Sequence, residues 1–395
     1  MDRSSDKNYK RDGNDGHKRK HTDVESFHKR RRMVDGDSSN VVARHYNQLP
    51  ESGLRQRKQS KIYFMRNFNN WVKSVLMKTF QIRLETEGQR SGIVALDVGC
   101  GKGGDLLKWA KGNVNKVICT DLAATSIEQC KDRYGSNKQK ARGRIFDAEF
   151  IVADSSREKL SDLFDDPGQM FDLVSIQFVV HYSFESESQA NRMIQNCCER
   201  LRKGGYFIGT TVNSKELRRR LDESENNSFG NSVYSVSFSS KDKFNDFGHT
   251  YNFHLDGVVD CPEYVASREN LENIAKKFGM RLVLWKTFSD FFAMNARDRE
   301  FKDLLKRIKA LEYFPSRSPN SNKPGDYDHA KAVCDDIMEK YPESNPRVGT
   351  LSSTEWEAAS LYVAFAFKKI DENDDETFDV PASDINDIPL LVLSR

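Results

Sequence analysis

The sequence predicts an α/β fold: a mostly parallel seven-stranded sheet with helices on both faces and a small inserted β-rich region. Three observations predict it. Between residues 93 and 211, short apolar or β-branched runs alternate with amphipathic stretches, the order that builds a parallel sheet with crossover helices. The first run ends in a glycine-rich turn, Val98-Gly99-Cys100-Gly101-Lys102-Gly103-Gly104, at the strand end where such sheets receive ligands. A chain of 395 residues, 37% of them hydrophobic, also holds the apolar material of one large domain.

Strands are read at 93–98, 116–120, 149–153, 172–178 and 206–211, most bounded by Gly, Asp or Asn. Helices fall at 105–111, 126–133 and 188–202, the last followed by Lys203-Gly204-Gly205 as a helix C-terminus prefers. Upstream, Phe64, Phe68, Trp71 and Val75 recur at helical spacing and predict the buried face of an N-terminal helix. That helix carries Asn67, Asn69 and Asn70, poor helix formers whose presence points to binding. The stretch 217–260 is rich in Ser and Asn, with hairpin strands at 233–238 and 250–253. A helix at 268–278 and strands at 281–287 and 362–367 then complete the sheet.

Two tails flank this domain, which is placed at residues 41–370. Residues 1–40 hold 11 Lys or Arg and 8 Asp or Glu with few large apolar side chains, too little to offset the entropy of ordering, so a disordered basic tail is predicted. Its clusters Lys18-Arg19-Lys20 and Lys29-Arg30-Arg31-Arg32 read equally as nuclear import signals and as solvated charge. Residues 371–395 form an acidic tail, with eight acidic residues and no basic one from 371 to 387. Its apolar end, 388–393, reads as able to dock.

Overall charge is balanced, at 62 basic against 59 acidic residues, and so neither demands nor excludes nucleic acid. No stretch approaches the ~18 apolar residues of a spanning helix, and the polar start is unlike a secretion signal, so no membrane is expected. The seven cysteines are odd in number and contain no C-x-x-C. They are read as reduced thiols, with neither a disulfide frame nor a zinc site, and no metal is expected.

The glycine turn carries the strongest chemical signal, because glycine lets a ligand lie against the backbone. Gly99, Gly101 and Gly104 also fit a dinucleotide fingerprint, and a tight turn without a ligand is a further alternative. Asp97, two residues before the first glycine, suits a cationic amino group and opposes a pyrophosphate, which favours S-adenosylmethionine over a nicotinamide dinucleotide. Asp121, ending the second strand, is placed to accept both hydroxyls of a ribose, or else to cap the next helix. Asp154 and Ser155, ending the third, are placed for an adenine amino group, or again for capping. After the fourth strand, Gln177-Phe178-Val179-Val180-His181-Tyr182 offers a carboxamide, an imidazole and two aromatic rings that can stack a base or enclose a cation. It holds no Asp and no Pro, so the acceptor atom is expected to bring its own lone pair, and His181 is not read as a general base.

At this point a resemblance becomes specific. The runs Val42-Ala43-Arg44-His45-Tyr46-Asn47, Arg66-Asn67-Phe68-Asn69-Asn70-Trp71-Val72-Lys73, the glycine turn, Gln177-Phe178-Val179-Val180-His181-Tyr182-Ser183-Phe184-Glu185 and Gly204-Gly205-Tyr206-Phe207-Ile208-Gly209-Thr210-Thr211 resemble the eukaryotic mRNA cap guanine-N7 methyltransferases. The resemblance runs from about residue 42 to about residue 369. It implies a Rossmann-like class I S-adenosylmethionine-dependent fold and makes 41–370 the catalytic domain. Around the cofactor it implies Lys73, Gly99, Asp121, Asp154, Gln177 and Tyr182, to which the residues themselves add Asp97 and Ser155. Around the cap it implies Asn69, Asn70, Lys102, Lys108, Arg133, His181, Glu263 and Tyr362. The three basic residues suit a triphosphate bridge, and Glu263 suits the N1 and N2 donors of guanine, although by itself it reads as a solvated loop carboxylate.

The resemblance also implies 5'-capped nascent mRNA as substrate, an activating subunit, the transcription and capping machinery as partners, and a nuclear location. Guanine N7 has an in-plane lone pair and no proton, so transfer needs in-line positioning and no acid or base, with His181, Tyr182 and Glu263 positioning the purine. Two rival readings are a non-enzymatic RNA-binding protein on the same fold and a methyltransferase for another substrate.

Overall fold

The computed structural model describes residues 58–88, 92–141, 143, 145–316, 319–321, 323–370 and 389–394. The basic tail, the run 42–47 and most of the acidic tail lie outside the described residues.

In chain order the elements are α1 (Tyr63–Thr86), β1 (Ile93–Val98), α2 (Leu106–Ala110), β2 (Val114–Asp121), α3 (Ala124–Lys140), β3 (Asp147–Val152), β4 (Phe171–Gln177), α4 (Glu187–Cys198), β5 (Leu201–Val212), α5 (Ser214–Glu223), β6 (Ser228–Gly230), β7 (Tyr234–Phe238), β8 (Thr250–Leu255), β9 (Val259–Tyr264), α6 (Arg268–Lys276), β10 (Met280–Thr287), α7 (Phe288–Asn295), α8 (Arg299–Ile308), β11 (Glu312–Phe314), α9 (Asp328–Lys340), β12 (Arg347–Thr350), α10 (Ser353–Ala359), β13 (Tyr362–Lys369) and β14 (Leu391–Ser394).

The central sheet has seven strands in the order β10-β13-β5-β4-β1-β2-β3. Pairs among β1 to β5 are parallel, and β13 runs antiparallel to both β5 and β10. Every residue of β4 is buried, as expected of a strand covered on both faces. Sequence order reverses between β1 and β4, which makes the carboxyl ends of these strands the expected ligand crevice.

On one side α1 buries Met65, Phe68, Trp71, Val72 and Val75. Phe68 meets Trp71, Phe288, Phe292 and Trp356, and Trp71 donates its indole N–H to the Phe301 carbonyl at 2.9 Å. This aromatic seam fixes α1 against α7, α8 and α10, so the polar face of α1 is held in register with the strand ends.

Two expectations change, and a third gains its partner. The glycine pair after α4 is not a helix cap: α4 ends at Cys198, and Gly204, at φ +78°, lies inside β5. A Cβ on Gly205 would come within 2.9 Å of the Asp172 carbonyl, so these glycines allow β5 to shift register against β4. The inserted region is a four-stranded antiparallel sheet, β6-β7-β8-β9, and Glu263 stands on its edge strand rather than in a solvated loop. Pro262 is accommodated there because an edge strand needs no ladder bond on one side. The apolar chain end docks on its own domain, as β14 pairs with β12 in a third sheet, β11-β12-β14.

Candidate functional site

Two cavities open at the carboxyl ends of β1 to β4, and they share Phe178 and Tyr182. Phe178 adopts φ +62°, a costly conformation for a bulky residue. Its N–H is held by the carbonyl and hydroxyl oxygens of Thr210 at 3.0 and 3.1 Å, and its ring stands edge-on to Tyr362, 4.9 Å between centroids. The strained turn thereby sets an aromatic wall between the two spaces.

The smaller cavity, about 230 Å³, is lined by Gly99, Gly101, Asp121, Leu122, Ala123, Asp154, Ser155, Ser156, Gln177, Val179, Met193 and Tyr264 among others. Gly99, Gly101 and Gly103 all have positive φ, but for different reasons. A Cβ on Gly99 would meet Val179 at 2.6 Å, and one on Gly103 would meet Leu106 and Cys130. Only Gly101 faces open space. Ligand approach therefore explains Gly101, while packing within the protein explains the other two.

The carboxylates here are already engaged. Asp121 accepts from the Gly101 and Ala123 amides at 2.8 and 2.9 Å, so its capping role is real, and burial pushes its carboxyl up despite these bonds. Asp154 accepts from the amide and hydroxyl of Ser156. Gln177 is tied at both ends, donating to Ser175 and accepting from Thr210. Carboxylates keep free lone pairs after such bonds. Two of them, spaced along an apolar slot at the ends of adjacent strands, suit the diol and amino group of a nucleoside.

The larger cavity, about 510 Å³, draws on distant segments. Its walls include Lys58, Arg66, Asn69, Asn70, Lys73, Arg133, His181, Tyr182, Val259, Glu263 and Tyr362. Glu263 is buried; its Oε1 accepts from Tyr182 at 3.1 Å and its Oε2 from Tyr251 at 2.7 Å. His181 Nε2 lies 3.4 Å from Glu263 Oε1, within ion-pair reach but outside hydrogen-bonding geometry, and it makes no hydrogen bond. Asn69 Oδ1 is likewise buried without a hydrogen bond. Buried polar atoms without a hydrogen bond are costly, and two residues of this cavity's wall carry one each.

Lys73 and Asn70 of the larger cavity's wall belong to a charged knot. Asp105 is flanked by Lys73 at 2.9 Å and Lys108 at 2.7 Å. Burial pushes the Asp105 carboxyl up, but the two lysines more than reverse this and hold it well below its usual range. Burial lowers the Lys108 ammonium, which is also bonded to Asn70 Oδ1 at 2.5 Å. Asp97, bonded by Trp109 at 3.0 Å, is pushed up to about 7 by burial and by the Asp105 charge.

Of the residues expected at the cofactor, Gly99, Asp121, Asp154, Ser155, Gln177 and Tyr182 line the smaller cavity. Lys73 lies on the larger one, and Asp97 lines neither; its buried carboxylate is turned to Trp109 beneath the turn. Of those expected at the cap, Asn69, Asn70, Arg133, His181, Glu263 and Tyr362 line the larger cavity. Lys102 and Lys108 line neither, and Lys108 is committed to Asp105 and Asn70. Basic character at the larger cavity comes from Arg133, Arg66, Lys58 and Lys73, the last also paired with Asp105. Arg66 was legible, since residues 66, 69, 70 and 73 share one helix face by spacing alone, whereas Lys58 lies outside any pattern.

Residues 29–370 match the mRNA (guanine-N(7))-methyltransferase domain. The chain is 40% identical over 342 residues to the mRNA cap guanine-N(7) methyltransferase of Drosophila melanogaster, covering 84% of this chain and 77% of that one. It is 35% identical to the counterpart in Caenorhabditis elegans, covering 88% and 91%, and 35% identical to one from Oryza sativa subsp. japonica, covering 84% and 82%. Among solved structures, an S-adenosylmethionine-dependent methyltransferase from Clostridium acetobutylicum aligns with a TM-score of 0.39 at 13% identity, covering 74% of this chain and 92% of that one.

Proposed function

The chain belongs to the mRNA (guanine-N(7))-methyltransferase family, and on that premise we propose that its two cavities divide the reaction, cofactor in the smaller and cap guanine in the larger. It is an S-adenosylmethionine-dependent enzyme that methylates N7 of the mRNA cap guanosine, which sets aside both rival readings. What the cofactor supplies is an electrophilic methyl group on a cationic sulfonium. The smaller cavity fits its nucleoside part: Gly101 leaves room for a ligand against the backbone, Asp121 can receive a ribose diol, and Asp154 with Ser155 can receive adenine.

The larger cavity does the selecting. Glu263 accepts from guanine N1 and N2, His181 and Asn69 gain partners for their orphaned atoms, and Tyr362 with Phe178 bounds the ring. Arg66, Lys73 and Arg133 meet the phosphate bridge. Tyr182 touches both spaces, so its ring limits where a base can stand relative to the cofactor side. N7 offers a lone pair, so the side chains hold geometry and charge and no proton is moved. Holding reactants in line is worth ~7 to 11 kcal/mol, and a buried carboxylate beside the purine favours the positive charge that develops there.

The single observation that carries this division is the junction: two cavities of different chemistry meet at Phe178 and Tyr182. Binding of a capped dinucleotide against its uncapped counterpart, with and without cofactor, tests it. Preference for the capped ligand that survives saturation with S-adenosylhomocysteine is expected. Competition between the two ligands would place them in one space. The basic tail as a nuclear address, an activating subunit and contacts with the capping and transcription machinery belong to the same proposal. They rest on the tail's composition and the family resemblance.

A further inference from the structure

Three thiols converge behind the glycine turn. Cys100 lies in the turn itself, Cys119 on β2 and Cys130 on α3; their sulfurs all lie within 4.8 Å of one another and all three residues are buried. Among the described residues this is the one group of three His, Cys, Asp or Glu side chains so disposed. The remaining cysteines stand on α4, β9 and α9 and carry no such neighbours. Packing alone explains one buried thiol readily; three whose sulfurs lie within 4.8 Å of one another have the spacing of a ligand set.

We propose that Cys100, Cys119 and Cys130 form a three-thiolate site for a soft divalent cation of the zinc group, and that occupation of this site clamps the cofactor cradle. Thiolates select soft cations, whereas magnesium and calcium demand oxygen. Metal–sulfur bonds of about 2.3 Å in a trigonal set place the sulfurs about 4 Å apart, so the cluster must draw in by less than about 1 Å. Binding exchanges protons for the ion: Cd2+ and three S–H groups give a tris-thiolate of charge −1 and three released protons. Arg133, one turn beyond Cys130, compensates that charge, while the carboxylate charges of Asp97 and Asp105 act on Cys119 and Cys130 and oppose it. A monovalent ion would leave a second negative charge against those carboxylates, so a divalent one is favoured.

The position makes the site consequential. Cys100 stands between Gly99 and Gly101, and Cys119 lies two residues before Asp121. A Cβ added at Gly103 would come within 2.8 Å of Cys130 Sγ, so there is no slack on that side. Drawing the sulfurs together moves the turn relative to Asp121, and cofactor affinity falls.

The test uses the full chain, reduced and then freed of thiol reductant under argon, with Cd2+ as probe and Mg2+ as control. Titration with Cd2+ is expected to raise ultraviolet thiolate-to-metal absorption to an end point of one ion per chain. That signal is expected to vanish in Cys130→Ser and Cys119→Ala and to persist in Cys334→Ser. Circular dichroism melting shows whether each variant is folded, and either folded cluster variant suffices. By calorimetry, S-adenosylmethionine affinity should fall at least tenfold in the Cd2+-loaded wild type and stay unchanged by Cd2+ in the cluster variants. Absence of the signal, or its survival in a folded cluster variant, overturns the site. An unchanged cofactor affinity in the loaded protein overturns the clamp.

Discussion

The two cavities meet at one aromatic wall, yet they are built by opposite means. In the smaller one the two carboxylates and the carboxamide already have partners inside the protein: Asp121 on two amides, Asp154 on Ser156, Gln177 between Ser175 and Thr210. In the larger one His181 Nε2 and Asn69 Oδ1 are buried without a hydrogen bond. The first is therefore preorganised by local backbone and contributes to folding. The second is assembled by remote segments and is completed by its ligand. Substitutions in the first should lower stability and binding together, whereas those in the second should lower binding alone.

The largest expected effect is at Gly99→Ala. Its Cβ would stand 2.6 Å from Val179 at φ +69°, so overpacking and left-handed strain add, at about 1–3 and about 1–2 kcal/mol. Gly101→Ala, at φ +52° in open space, should cost only the second of these. Thermal melts of the two variants test the ordering, and equal losses would mean that packing against Val179 does not shape the turn.

Asp121→Ala should follow. It leaves the Gly101 and Ala123 amides without their acceptor and removes the carboxylate from the ribose, with cofactor binding weakened by about 1.5–3 kcal/mol. Calorimetry should show cap-analogue affinity nearly unchanged and the melting temperature lowered. Equal losses for both ligands would make Asp121 a purely structural residue.

Asn69→Ala should be milder and of the other kind. It removes an orphaned buried oxygen, so stability should hold or rise, while cap affinity falls by about 0.5–1.5 kcal/mol. A destabilised variant with intact cap binding would break the contrast between the cavities.

An effect of another kind concerns pH. Asp97 is held near 7 in the fold, above the ordinary carboxyl value of about 3.9. The folded state thus keeps a proton that the unfolded chain gives up, and the stability this confers declines as pH rises from about 4 to about 7. Asp97→Asn should flatten the melting temperature across that window, and an unchanged slope would assign the dependence elsewhere. Glu355, also pushed up to about 7 by burial, contributes to the slope that remains, as do Asp121 and Glu312, both raised by burial.

The same contrast explains how much could be read beforehand. The parallel core was legible because strands such as β1 and β4 are short apolar runs and their ends carry Asp, Gly and Gln in order. The smaller cavity, built from those ends, was legible with them. The larger one needed partners that only tertiary structure brings together: Glu263 on a strand disguised by Pro262, Phe178 in a left-handed turn, and Lys58 outside any pattern. Strands β11 and β12 are only a few residues long, and β14 pairs with β12 from beyond the acidic stretch, so no periodicity announced the third sheet. The helices at 299–308, 328–340 and 353–359 were amphipathic enough to be found and went unread between the looser strands. Three cysteines on three separate elements show no motif in one dimension.

The most direct test of the division is single-turnover methylation of capped RNA by wild type and Glu263→Gln, with cap affinity measured in parallel, from about pH 6 to about pH 9, a span that brackets an ordinary histidine. Glutamine keeps the shape and most of the bonding to Tyr182 and Tyr251 but loses the charge. The rate should fall by about 10- to 100-fold, the worth of one charge-assisted contact, and by more than affinity does, because the interaction strengthens as the purine becomes cationic. No single group should need to lose a proton near neutrality. An unchanged rate would remove Glu263 from the site, and a steep requirement for one deprotonated group would make His181 a base and contradict transfer by positioning alone.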